Sequence, residues 1–180
     1  MAQTATLYRF RIELSDVDRG VYESLDLRTA MHPSETYPYL FTRVLAFALN
    51  SAPGLEFSPG GLSDPDTPGI QISANGAVEL WIEIGNPSAK KLHRASKAAK
   101  AVKVYTYKDP NALLREVEGK GVHKAEDIEV YALSSSLLSR LEEMVERDNK
   151  WSVIHNDGVI TVSSPSRTEE GEIKRIRIPC

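Results

Sequence analysis

Two carboxylates share one face of a short apolar run: Glu79 and Glu83 flank Trp81 in ELWIEIG, residues 79–85. Successive side chains of a strand point to opposite faces, so Val78, Leu80, Ile82 and Ile84 fall on the other side. Charges are costly inside a sheet unless something pairs with them. The run is therefore a wet face or a site, and a wet face would leave Trp81 in water. Upstream, Pro65-Asp66 with Asp64 sits in a loop rich in Gly, Pro and Ser. Downstream, a helix expected over 88–100 carries Lys90, Lys91, Arg94 and Lys97, with 90, 94 and 97 along one stripe. Glu35 opens the helix expected after MHPSET. Acids gathered beside cations are what a Mg²⁺-dependent phosphodiester hydrolase needs. Carboxylate oxygens hold the hard cation and leave it several waters. The metal lowers the pKa of a water nucleophile, and a lysine or arginine steadies the charge on phosphorus.

Each residue also has a plainer account. Glu35 suits the dipole at a helix start. Asp64 and Asp66 stand beside prolines, as turn formers do. Lysines on a helix are usually a solvated face. His32, His93, His123 and His155 show no metal spacing. Ser134 to Ser136 read as an N-cap cluster, and no Walker loop or dinucleotide fingerprint is present.

The elements that must position these groups follow from periodicity. Residues 6–15 and 21–31 alternate around the turn DVDRG, which reads as a long hairpin. Ser34 is the expected N-cap of a helix in which Leu40, Phe41, Val44, Leu45 and Ala48 recur at helical spacing. Short strands are expected at 55–58 and 70–73, and Asn75-Gly76 turns the chain into a strand over 77–84. Then come the helix 88–100, a strand 102–107, a helix 110–119, a strand 128–133, a helix 134–149, a hairpin 151–163 around Asp157-Gly158, an exposed loop and a final edge strand over 173–178. Strands and helices alternate between hairpins, so the fold class is α/β, a mixed central sheet with flanking helices.

The spacing of Pro65-Asp66 and Glu83 resembles the PD…(D/E)xK pattern of the restriction-endonuclease-like superfamily. RTAMHPSET, RVLAFAL, GLSDPDTP, ELWIEIGNP and VKVYTY, in this order, resemble the YaeQ family of bacterial proteins. DVDRGVYES and NDGVITVS fit as well, so the likeness covers roughly residues 1–165. The resemblance implies a single domain over 1–180, a restriction-endonuclease-like core with added β-hairpins, and a Mg²⁺ site. It makes Glu35 the helix-borne glutamate, Asp66 the metal aspartate and Glu83 the strand glutamate. Glu79, on the same strand face, joins the expected metal set. One departure stands out: the superfamily's lysine position is Gly85 here. A cation must then come from the following helix, Arg94 first, then Lys97 or Lys91.

Length and composition set the frame. The 180 residues, 41% of them hydrophobic, suit one domain with a sizeable core. A net charge of −3 does not point to nucleic acid or an anionic membrane, so such contact would need a local basic patch. The lone Cys180 allows no intramolecular disulfide. No apolar run nears the roughly 20 residues of a membrane span, and no signal peptide is evident. The expectation is a cytoplasmic monomer with no membrane contact. Two functions fit: a Mg²⁺-dependent nuclease-like protein, or a non-catalytic binding protein on that frame, contacting nucleic acid or a transcription component.

Overall fold

The computed structural model describes residues 4–58 and 67–179. In chain order they form β1 (Thr6–Asp16), β2 (Val21–Met31), α1 (Tyr37–Leu49), β3 (Leu55–Phe57), β4 (Ile70–Ala74) and β5 (Ala77–Ile84). Next come α2 (Ala89–Ala98), β6 (Ala99–Thr106), α3 (Pro110–Val117), a 3-10 turn (Ala125–Asp127) and β7 (Glu129–Leu133). Last are α4 (Ser135–Glu142), β8 (Asp148–Asn156), β9 (Val159–Ser163) and β10 (Thr168–Ile176). The class is mixed α/β, as expected. The described chain gathers into two compact units, 4–49 with 133–173 and 50–132 with 174–179.

The first unit carries strands in the order β2-β1-β8-β9-β10. β1 and β2 pair antiparallel without a break, from Thr6 opposite Met31 to Asp16 opposite Val21. β8 lies parallel to β1 on its other side. The inward row of β1, Tyr8, Phe10, Ile12 and Leu14, is the buried one. α1 is apolar on nearly every side, and such a helix belongs inside. It packs on α4, whose Leu137, Leu138 and Leu141 are buried.

Three local expectations for this unit are corrected. Ser34 does not cap α1: its hydroxyl meets His32 Nδ1 at 2.8 Å in a turn closed by Glu35 N–H donating to His32 O. Thr36 caps instead, accepting from Tyr39 N–H, so Glu35 precedes the helix. The helix expected over 134–149 ends at Glu142, because Asn149 bonds the backbone of Glu146 in both directions and Asp148 already pairs with β1. The exposed loop expected before residue 173 is strand from Thr168, paired with β9. Gly171 makes room there: a Cβ at that position would sit 2.6 Å from Leu137 Cβ.

The second unit carries β3-β4-β5-β6-β7. β3, β4 and β5 run antiparallel, and β5, β6 and β7 run parallel. Parallel neighbours need crossovers, and α2 and α3 supply them. Both helices cover one face, where Trp81, Leu92, Ala95, Val102, Val104, Leu113 and Val130 form the core. Ser88 caps α2 by accepting from Lys91 N–H, and Asp109 caps α3 with Pro110 at its start.

Candidate functional site

β5 becomes more buried along its length, from Ala77 at the rim to Trp81, Ile82, Glu83 and Ile84 inside. Glu83 therefore lies on a helix-covered face, 5% exposed, next to Trp81 at 4%. Two donors hold its carboxylate. Trp81 Nε1–H donates to Oε1 at 2.6 Å, and Lys91 Nζ lies 3.1 Å from Oε2. The indole thus finds its buried acceptor, and the carboxylate its charge partner. Burial pushes the Glu83 carboxyl above its usual value, and Lys91 and the Trp81 N–H pull the other way. A carboxyl shifted by burial against a specific cation marks a functional candidate. It stands near the carboxyl end of a parallel strand, where open α/β sheets bind ligands.

The turn after β5 explains how the lysine gets there. Gly85 has φ +97°, a conformation that L side chains rarely adopt, and its N–H donates to Tyr105 O. A lysine at this position would be strained. Asn86 fastens the turn, accepting from Thr106 Oγ1–H at 2.6 Å and donating to Asp109 O. α2 then starts at once, and Lys91 in its first turn reaches back over the strand end.

The other expected residues are placed as follows. Glu79 pairs with Lys100 at 3.1 Å. Four residues separate it from Glu83, about 13 Å along a strand. Arg94 is exposed on α2, and Lys97 is exposed in its last turn, beside Ala77 and Val78 at the start of β5. Among the described residues the cation at Glu83 is Lys91. Asp66 and Asp64 lie outside the described residues.

Glu35 belongs to the first unit and is described there. It is 8% exposed, and its Oε2 has no hydrogen-bond partner among the described residues. Burial raises its carboxyl, opposed by the charge of Arg43. Arg43, itself buried, donates to Thr29 Oγ1 at 2.9 Å. The two turn motifs of this unit also meet. Asp16, fully buried, takes Arg19 Nε at 2.6 Å and His155 Nδ1 at 3.0 Å, while Asp18 accepts from Asp157 N–H.

Magnesium wants hard oxygen ligands, and Glu83 offers that chemistry. No three His, Cys, Asp or Glu side chains come together for an ion among the described residues. Glu79, held by Lys100 farther down the strand, does not share an ion with Glu83. Sequence reasoning placed Lys91 behind Arg94, level with Lys97, and gave Trp81 no polar part. The signal for both was the spacing: Trp81 two residues before Glu83 on one strand face, and Lys91 three residues after the N-cap Ser88.

No described helix is long and apolar enough to cross a membrane. Residues 1–173 match the model of the family described as "YaeQ protein". The chain is 27% identical over 172 residues to "Uncharacterized protein YaeQ" of Escherichia coli, covering 94% of each chain. It is 29% identical over 166 residues to the protein of that name in Salmonella typhi, covering 91% of each. Its fold is similar to the crystal structure of YaeQ protein from Xanthomonas axonopodis, with a TM-score of 0.88 at 28% identity over 98% of this chain and 100% of that one. The crystal structure of YaeQ protein from Pseudomonas syringae gives 0.87 at 30% identity over 97% of both chains.

Proposed function

The chain belongs to the YaeQ family, and on that premise we propose that it is a nuclease-like protein that acts on phosphodiesters through Glu83 and Lys91, on a restriction-endonuclease-like core. The observation that carries this reading is the 3.1 Å pair between Lys91 Nζ and Glu83 Oε2. It sets a cation beside the strand carboxylate, the pairing that the (D/E)xK pattern makes with a lysine two residues on. A lysine at position 85 would be strained at φ +97°, and Lys91 takes over its part from the helix.

Glu83 and Asp66 are the residues that would hold Mg²⁺, and the ion when bound supplies an activated water and neutralises phosphate charge. The chain's own groups do the rest. Trp81 fixes Oε1, so the carboxylate leaves Oε2 to one partner at a time. Lys91, 19% exposed at its side chain, is free to leave Oε2 for a phosphate oxygen. The packed core beneath keeps water from the back of the carboxylate, which strengthens both interactions.

A second reading rests on a specific observation. Both oxygens of Glu83 are already taken by protein donors, which suits a binding protein that keeps this frame without turnover. Thermal melts of wild type and Glu83→Gln, with and without millimolar Mg²⁺ or Mn²⁺, separate the two. The nuclease-like reading expects metal to raise the wild-type midpoint and leave the variant unmoved. It also expects cleavage of single-stranded DNA or RNA that Glu83→Gln abolishes. A wild type indifferent to both metals and inert on both polymers overturns it in favour of the binding protein.

A further inference from the structure

A second feature of the 50–132 unit lies at the opposite end of β5 and takes no part in the proposed function. Where α2 runs into β6, a cavity of about 410 Å³ opens between the start of β5, the α2–β6 junction and the segment 123–128. Its floor is small and apolar: Val78, Ala99 and Ala101. Lys97, Lys100 and Lys124 make its rim cationic, and His123 lines it as well. Lys100 is engaged by Glu79 at 3.1 Å. The side chains of Lys97 and Lys124 have no hydrogen-bond or ion-pair partner among the described residues. Among the described lining residues Asp127 is the one acid.

This is an unusual surface for a chain of net charge −3. Two ammonium groups without protein partners on the wall of one cavity favour an anion between them. Lys124 is also held at φ 49°, a left-handed conformation that costs a non-glycine residue free energy and recurs at ligand clamps. His93 holds the segment in place, with its Nδ1 accepting from His123 N–H at 3.0 Å.

The geometry points to a binding site for a small organic phosphate, a phosphomonoester on a compact hydroxylated body. The charge of a phosphomonoester at neutral pH matches the two free lysines. The shallow Ala and Val floor takes the body, and Asp127 accepts from a hydroxyl. The volume lies in the range of small-ligand sites, toward its lower end. Sugar phosphates and nucleoside monophosphates share this chemistry.

Amide chemical-shift titration of the full chain with ribose phosphate, AMP and adenosine tests the proposal. Both phosphates should shift Ser96, Lys97, His123 and Lys124, and adenosine should not. Tighter binding of AMP than of ribose phosphate identifies a nucleotide, and equal binding a sugar phosphate. Lys97→Met/Lys124→Met should weaken binding at least about tenfold, the loss of one charge-assisted contact or more. Both lysines are exposed, so the variant should keep the wild-type circular dichroism. Lys90→Met, exposed on α2 outside the cavity, should bind as wild type does. Equal binding by the double variant, equal binding of adenosine, or no shift at millimolar phosphate ester would overturn the site.

Discussion

Lys91 sets its ammonium 3.1 Å from Oε2 of Glu83 across the turn that joins β5 to α2, and Trp81 holds the other oxygen at 2.6 Å. Losing the lysine would leave a buried carboxylate with one neutral donor. Lys91→Met should therefore destabilise the protein at neutral pH by about 1–3 kcal/mol, the cost of a buried group left without its partner. The loss should shrink in mild acid, where Glu83 takes up a proton. Urea denaturation at the two pH values reads it, and Lys91→Met/Glu83→Gln should recover most of the deficit. An unchanged single variant would mean that the pair is not formed in solution.

The raised carboxyl of Glu83 fixes the sign of a pH effect. Burial is its first cause. The folded state keeps a proton that the unfolded chain has already released. This group's share of stability is therefore complete below the usual glutamate range and lost as pH rises through the raised value. Glu35 has the same sign. Asp18, Asp26 and Glu169, all lowered by hydrogen bonds, have the opposite sign and lose stability as pH falls through their lowered values. The stability of wild type minus that of Glu83→Gln isolates the one group. It should fall with rising pH across the acid-to-neutral window. A flat difference across that window would place Glu83 at its ordinary value.

Gly85 gives a backbone test that does not involve charge. At φ +97° a side chain is strained whatever the space, although the nearest atom to an added Cβ, on Tyr107, stands at an easy 3.7 Å. Gly85→Ala should cost about 1–2 kcal/mol from conformation alone. Gly85→Lys should cost as much and gain no activity, since its lysine would arrive on a distorted turn. A neutral alanine variant in thermal melts would contradict the geometry of the turn.

How much of this was legible in the sequence depended on which force set each element. Period-2 alternation located β1, β2 and β5 closely, because one buried face dictates the pattern. Turn chemistry located the β8–β9 hairpin, where Asp157 takes φ 50° beside Gly158. The misses have other causes. β10 reads TEEGE at its start, a polar string that only its pairing with β9 makes a strand. α4 stops early because of a side chain, Asn149, that sits beyond it and answers to β1. Ser34 and Thr36 are equally good caps by type, and the His32 ring decides between them. At the site, the carboxylate and the basic helix were both legible. Which lysine serves Glu83 was not, because it depends on how abruptly the chain turns at Gly85.

The parallel pairing of β1 with β8 has a consequence for the birth of the molecule. Arg9 stands opposite Asp148, and Asn149 Nδ2–H donates to Arg9 O at 3.1 Å. On the ribosome the β1–β2 hairpin emerges well ahead of β8, the strand that lies parallel against β1. At typical elongation rates the wait is on the order of ten seconds. Residues 50–132, by contrast, bring β3 to β6 out in one stretch, and the remainder of that unit, 174–179 with Ile178 in its core, follows after β9. The strands of 50–132 are thus able to pair while the β1–β2 hairpin, with Leu7 and Tyr22 open to solvent even in the finished protein, still waits for β8.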